Sequence, residues 1–118
     1  MTDGDLHART KAYALQVIRL VQALPRDRVA DVIGRQLLRA ATSVGANHRA
    51  ARRARSPSDF IAKMKIVEEE ADECLYWLEL LIESGLVSEG RLAELLAEGN
   101  ALVAMTVASI KTVQSQVR

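Results

Sequence analysis

The length, composition and charge of the chain limit the classes of protein to which it can belong. Its 118 residues suit one domain that buries a core without disulfides or metal ions. Hydrophobic residues make up 49% and aromatic residues only 3%, which favours helices over strands, and the single Cys74 excludes an intrachain disulfide. Because the formal net charge is only +1, attraction to a polyanion would have to come from the distribution of charge.

The first predicted helix runs from about Asp5 to Leu24 and ends before Pro25, because a proline disfavours helical geometry in the residue before it. Its apolar positions recur at spacings of three and four residues, which is typical of an amphipathic helix. These positions are Leu6, Thr10, Tyr13, Val17, Leu20 and Leu24.

The second predicted helix begins near Arg26 and Asp27 and extends to Ala54 or Arg55. Many residues on its inward face are small, so a neighbouring helix can approach closely. The inward face is predicted to contain Val29, Ile33, Leu37, Ala40, Val44, Asn47 and Ala51.

The third predicted helix begins at "RSPSD". Ser56 is typical of an N-cap, Pro57 suits the first helical position, and Asp59 is placed to return a hydrogen bond to the cap. The helix should extend to about Ser84, because Gly85 can adopt the left-handed conformation that commonly ends a helix. Its apolar stripe contains Phe60, Met64, Val67, Ala71, Cys74, Leu78 and Leu81.

The fourth predicted helix begins near Ser88 and completes an all-α fold. Four helices of about 20 to 30 residues with loops of about 2 to 5 residues pack by default as an antiparallel up-down-up-down four-helix bundle. Residues 1–118 would then form a single domain. The apolar positions of the fourth helix are Leu92, Leu96, Gly99, Val103, Thr106, Ile110, Val113 and Val117.

The last two helices have more apolar residues than one core-facing stripe requires. A large core could absorb them, or a second copy of the chain could cover them. We expect a homo-oligomer whose interface contains Tyr76, Trp77 and Leu80, because aromatic side chains commonly anchor interfaces. The additional apolar residues are Leu75, Trp77, Leu80, Ile82, Leu95, Leu102 and Val107.

Charge is segregated along the chain. Residues 26–55 hold eight Arg and two Asp, whereas residues 66–100 hold ten acidic residues and one Arg. In an antiparallel hairpin that turns at Ser56, the acids near Glu70 lie level with Ser43, about three turns from the basic end of the second helix. We expect the acids from Glu68 to Glu73 to form a solvated face or to pair with another subunit. The hairpin tip, residues 49–65, keeps four Arg and two Lys against one Asp.

Two interpretations fit this basic tip. It could bind RNA or DNA phosphates, or it could stabilise the end of the second helix and pair with acids of a neighbouring subunit. The scarcity of aromatic residues favours contacts to the phosphate backbone over base stacking. The predicted nucleic-acid-binding residues are Arg49, Arg52, Arg53, Arg55 and Lys63, extended by Arg35 and Arg39.

The sequence predicts neither a catalytic site nor a metal site. His7 and His48 are the only histidines, and neither follows a Glu at the spacing of di-iron bundles. Cys74 lies on an apolar stripe and fits core packing. We therefore expect no enzyme activity and no cofactor. The polar start of the chain, without a long apolar run, predicts a cytoplasmic protein with no membrane span.

The segment "QLLRAATSVGANHRAARRARSPSDFIAKMKIVEEEADECLYWLELLIESGL", residues 36–86, resembles the four-helix-bundle family of 23S rRNA intervening-sequence proteins. Besides the Glu-rich start of the third helix and "YWLELL" before Gly85, the matching residues are Gln36, Arg39, Ala40, Ser43, Asn47, Ser56 and Phe60. The sequence "LPRD" and the flanking helices extend the likeness more loosely over the whole chain.

The resemblance implies a small bacterial bundle that assembles into a ring. Pentamers are known among relatives, including the accessory variability protein of diversity-generating retroelements, whose basic surface engages nucleic acid and a reverse transcriptase. Many family members follow the asparagine with Ala-Glu-Gly, whereas this chain has His48, Arg49 and Ala50, which strengthens the basic tip. The implied protein is a homopentamer that binds RNA, DNA or a protein partner as an accessory of a nucleoprotein complex.

Overall fold

The computed structural model describes residues 3–117 and contains four helices, α1 (Asp3–Gln22), α2 (Arg28–Arg52), α3 (Pro57–Glu83) and α4 (Glu89–Gln116). Each helix packs against the next, and α1 also contacts α4. The bundle measures 50 × 21 × 19 Å, so the helices lie along its long axis. The predicted all-α, antiparallel four-helix bundle is confirmed.

Local capping chemistry sets the ends of the central hairpin. The Asp27 carboxylate accepts hydrogen bonds from the backbone N–H groups of Val29 and Ala30 and so begins α2. Ser56 begins α3 in the same way, because its hydroxyl accepts from the Asp59 N–H at 3.1 Å. These bonds place both helix starts within two residues of the predicted positions.

The predicted end of α3 is confirmed, whereas the predicted capping box at its start is not formed. Gly85 follows α3 with φ at 79°, the left-handed conformation that the sequence predicts. Asp59 does not return its hydrogen bond to Ser56, since its carboxylate accepts from the backbone N–H of Arg55 at 3.1 Å. The carboxylate therefore holds the α2–α3 connection as well as the first turn of α3.

The core follows the predicted stripes closely, except at Val29 on α2 and at Val117, which is 54% exposed and lies beyond the end of α4. Val29 is 52% exposed, whereas the sequence places it on the inward face. It is the second residue of α2 and lies level with the end of α3, so no further turn of α3 covers it. The largest side chains that are fully buried in the core are those of Tyr13, Leu37, Met64, Leu78, Leu81, Leu92 and Leu102.

The additional apolar residues of α3 and α4 divide between core and surface. Leu75, Leu95 and Leu102 are buried, which corrects the expectation that such residues lie at an interface between subunits. Trp77 and Leu80 are half-buried against the core. A large core thus absorbs the three leucines.

By length and composition alone, α4 could cross a membrane, which the sequence did not predict because no uninterrupted apolar run is long enough. A core helix of a soluble bundle meets the same criteria. In this bundle α4 contributes seven buried residues, which are Leu92, Leu95, Gly99, Leu102, Met105, Thr106 and Ile110.

Candidate nucleic-acid interface

The basic tip is formed by the end of α2, the α2–α3 connection and the first turns of α3. Helix α2 ends at Arg52, and the N–H of Arg53 bonds to the Ala50 carbonyl at 3.1 Å. Arg53 and Arg55 therefore lie in the connection, whereas the sequence predicts helix as far as Ala54 or Arg55. The tip thus presents arginines both from the last turn of a helix and from a short loop.

Four arginines of the tip have side chains that form no ion pair within the described residues. Arg49, Arg52, Arg53 and Arg55 are all exposed, and none of them forms an ion pair with any residue between positions 3 and 117. Their guanidinium groups are free to donate hydrogen bonds to a ligand. Planar guanidinium groups match phosphate oxygens well, because they can donate two parallel hydrogen bonds.

Lys63 adds less charge to the tip than the sequence predicts. Its ammonium group donates to both oxygens of Asp59, at 2.7 and 2.6 Å, across one turn of α3. The hydrogen bonds from Lys63 and from the Arg55 backbone hold the pKa of the Asp59 carboxyl below its usual value. The pair is locally neutral, so the positive charge of the tip comes mainly from its arginines and from the exposed Lys65.

Arg39 is held by acids rather than left free for a ligand. Its guanidinium donates to Glu70 at 2.8 and 3.3 Å and also to Glu73. These hydrogen bonds raise the pKa of Arg39, and the guanidinium lowers the pKa of Glu70. Glu70 and Glu73 therefore pair within the chain, which differs from the predicted solvated or intersubunit role.

An outward line of arginines extends from the tip along α2. Arg28, Arg35 and Arg49 are exposed and separated by multiples of seven residues, so they lie on the same side of the helix. No ion pair involves Arg28 or Arg35 within the described residues. The sequence predicts Arg35 but misses Arg28, although the seven-residue spacing could have indicated it.

Two polar residues near the tip belong to the interior of the bundle. His48 is fully buried, and its ring centroid lies 6.3 Å from that of His7 on α1. Asn47 donates to the carbonyl and the hydroxyl of Ser43, both on its own helix. His48 therefore adds nothing to the exposed surface next to Arg49, and the half-buried Asn47 amide is already hydrogen-bonded to Ser43.

A separate apolar face lies on the same hairpin, nearer its open end. The bond between Arg39 and Glu73 fixes the register, and seven residues further from the tip it places Val32 level with Leu80. Val32 is 48% exposed and Tyr76 is 54% exposed, and the Tyr76 ring meets Trp77 edge-on at 5.0 Å. The structure thus brings together Tyr76, Trp77 and Leu80, the predicted interface residues, and adds Val32.

Comparisons with known proteins cover nearly the whole chain. The family model described as 23S rRNA-intervening sequence protein matches residues 3–108. A protein of unknown function from the S23 ribosomal protein family of Bacteroides thetaiotaomicron has a crystal structure similar to this bundle, with a TM-score of 0.88 and 32% identity. The similarity covers 94% of this chain and 99% of that chain. Curated protein sequences include no match to this chain.

Proposed function

This chain belongs to the 23S rRNA-intervening sequence protein family, and on that premise we propose that it binds RNA or DNA phosphates through the tip of its α2–α3 hairpin. The similar protein of known structure is described as of unknown function, and neither comparison describes a catalytic activity. The observation that carries the proposal is the set of exposed tip arginines whose side chains form no ion pair within the described residues. The protein would act in the cytoplasm as an accessory of a larger nucleoprotein complex.

The tip has the charge that phosphate binding requires. Each arginine that contacts a phosphate releases condensed counterions, so affinity falls linearly with salt on logarithmic axes, with a slope of about −0.9 per contact on duplex DNA. Four arginines therefore predict a slope of about −3 to −4 for one tip. Arg53 and Arg55 lie outside α2, and hydrogen bonds from their backbone N–H groups to the Ala50 carbonyl and the Asp59 carboxylate hold this connection in place.

The experiment is fluorescence anisotropy with labelled single-stranded and duplex RNA and DNA over about 50 to 300 mM salt. The tip variant is Arg49→Ala, Arg52→Ala, Arg53→Ala. A matched control, Lys11→Ala, Arg19→Ala, Arg91→Ala, removes the same charge from exposed positions on α1 and α4. The proposal expects a steep salt dependence that only the tip variant loses. Equal losses in both variants would indicate attraction by overall charge, and no binding at the lowest salt would refute the proposal.

The exposed apolar face favours a second function, a structural homo-oligomer. Val32, Tyr76, Trp77 and Leu80 form a surface of the kind that a second copy can cover, and the exposed tyrosine next to a half-buried tryptophan suits an interface anchor. We propose a ring of five subunits, as the resemblance implies. In a purely structural protein, the tip arginines would pair with exposed acids of a neighbour, such as Glu69 and Asp72.

Measurements of oligomer mass distinguish nucleic-acid binding by the tip from a purely structural function. Tyr76→Asp should dissociate the oligomer at any salt concentration, because it puts a charge into the apolar face. The tip variant should keep its mass if the arginines bind nucleic acid. If the tip variant instead falls apart into monomers, and wild type does so at high salt, the arginines hold the subunits together and the structural function is the correct one.

A further inference from the structure

A cleft of about 310 Å³ lies at the corner between α1 and α2, at the opposite end of α2 from the basic tip. Its volume is at the lower end of the range for small-molecule sites. Apolar groups of Val21, Leu24 and Pro25 line it, together with Ala30 and Gly34, which are both buried. The cleft therefore has an apolar floor formed by two helices and the connection between them.

The floor depends on the absence of a side chain at Gly34. A Cβ atom there would lie 3.0 Å from Cδ1 of Leu24 and 3.4 Å from Cγ1 of Val21. With glycine in place, both apolar side chains lie against the α2 backbone. These two side chains give the floor its apolar surface.

Charged groups of both signs surround the floor. Arg26, Asp31 and Arg35 line the cleft and are exposed, and none of them forms an ion pair within residues 3–117. Asp31 and Arg35 are four residues apart on α2, a spacing at which pairing is common. One carboxylate and two guanidinium groups are thus available to a ligand that presents both donors and acceptors.

We infer that this cleft holds a guanine base of a single-stranded nucleic acid. Guanine offers O6 and N7 as a pair of acceptors, to which arginine binds in the commonest specific contact to a base. Its N1–H and N2 amino groups are donors, and a carboxylate such as that of Asp31 can accept hydrogen bonds from both. Its ring face suits the apolar floor, and unstacked bases of single strands are the usual targets of such recognition.

The inference rests on the proposed function and deepens it. Arg35 lines the cleft and also belongs to the outward line of arginines that leads to Arg49, about 21 Å further along α2. A strand with one base in the cleft can continue along this line to the tip. This continuity favours a base within a strand over a free zwitterion such as an amino acid, which would satisfy the same charges.

The experiment compares three labelled oligouridylates of about ten nucleotides, one unmodified, one with a single central guanosine and one with inosine there. The bidentate contact of arginine with O6 and N7 is present only in strands that contain a purine with these atoms. Wild type should therefore bind the guanosine strand about tenfold more tightly than the unmodified strand. Inosine keeps O6 and N7 but lacks the N2 amino group, so it should bind more weakly than the guanosine strand and more tightly than the unmodified strand. Asp31→Asn should bind the guanosine and inosine strands within about twofold of each other, because its one amide oxygen cannot accept from both N1–H and the N2 amino group as two carboxylate oxygens can. The control Asp72→Asn removes an exposed acid of α3 and should behave as wild type.

The outcomes distinguish guanine binding in the cleft from phosphate binding at the tip. If wild type binds the three strands equally while the tip variant weakens all of them, phosphate binding stands and the guanine inference is overturned. If no strand binds, guanosine 5′-monophosphate titrated into the protein tests the cleft alone, with the amide NMR signals of Asp31 and Gly34 as the readout. Saturable shifts that disappear in Asp31→Asn support the inference, and unmoved signals overturn it.

Discussion

Arg39 on α2 and Glu73 on α3 are joined by a charge-assisted hydrogen bond that fixes the register of the central hairpin. Ten residues separate Arg39 from Arg49, which is about 15 Å along the helix. The acids that neutralise Arg39 therefore lie well away from the tip. The segregation of charge in the sequence becomes a separation in space, with an ion-pair network in the middle of the hairpin and unpaired arginines at its end.

Arg39→Ala should reduce nucleic-acid affinity less than Arg49→Ala, because the Arg39 guanidinium already donates to two carboxylates. It should also lower the free energy of unfolding by about 0.5 to 1 kcal/mol, which is the upper range for a solvent-screened surface pair. Anisotropy and urea denaturation of the two variants measure both effects. An affinity loss for Arg39→Ala as large as that for Arg49→Ala would show that Arg39 leaves its acids to bind the ligand.

The stability of the hairpin tip should depend on the ionisation of Asp59. Lys63 and the Arg55 backbone hold the pKa of Asp59 below its unfolded value, so this carboxylate stabilises the fold above the unfolded pKa. That contribution should be lost as pH falls through the lower, folded pKa. Urea denaturation of wild type and Asp59→Asn from about pH 7 to about pH 3 should therefore show a difference that shrinks towards acid pH.

The matched control for this pH series is Asp72→Asn, which removes an exposed acid of the same helix that has no ion pair within residues 3–117. Its difference from wild type should vary less with pH than that of Asp59→Asn. A constant gap between wild type and Asp59→Asn across the series would mean that the ionisation of Asp59 does not contribute to the stability of the fold.

Two glycines of α4 should respond to alanine in opposite directions. At Gly99 a Cβ would lie 2.7 Å from Cδ2 of Leu75 and 3.1 Å from the Tyr13 hydroxyl, so Gly99→Ala forces these buried groups apart. Overpacking of this kind costs about 1–3 kcal/mol, against a gain in helix propensity of about 1 kcal/mol. Gly90 has nothing within 4 Å of such a Cβ and should gain stability as alanine. Thermal denaturation of both variants measures these changes in stability. A stabilised Gly99→Ala would show that Leu75 moves without cost.

The Cys74 thiol should be inert in the folded protein. It is fully buried, and burial, followed by the nearby Glu70 and Glu73 charges, raises its pKa to about 12. Because the thiolate is the nucleophile that attacks thiol reagents, labelling at about pH 8 should be slower than in the unfolded chain by more than about a thousandfold. Labelling rates in buffer and in urea provide the measurement, and rapid labelling in buffer would reveal local opening between α1 and α3.

The sequence predicts most of the fold because its boundary signals are local. Ser56 and Gly85 act on the backbone within a few residues, and the apolar stripes need only helical periodicity. The ion pair between Asp59 and Lys63 is also local, since the two residues are four apart, and it could have been predicted from the same pattern. The pairing of Arg39 with Glu73 follows from the predicted register once that register is applied to the middle of the hairpin.

Other features depend on how the helices pack, and the sequence does not predict them. The cleft exists because Val21 of α1 and Leu24 of the α1–α2 connection meet Gly34 of α2 at a close distance. The exposure of Val29 and Val32 depends on where α3 ends and on which side of α2 it lies. Whether Leu75 fills the core or an interface is likewise decided by the close approach of α4 at Gly99.

The elongated shape of the bundle affects how its assembly state can be determined. With extents of 50 × 21 × 19 Å, one subunit is more than twice as long as it is wide. A rod of this kind experiences more hydrodynamic friction than a sphere of equal mass, so it elutes early from a gel-filtration column and tumbles slowly. A single extended chain can thus resemble a compact dimer by elution volume, whereas light scattering and sedimentation equilibrium report mass independently of shape.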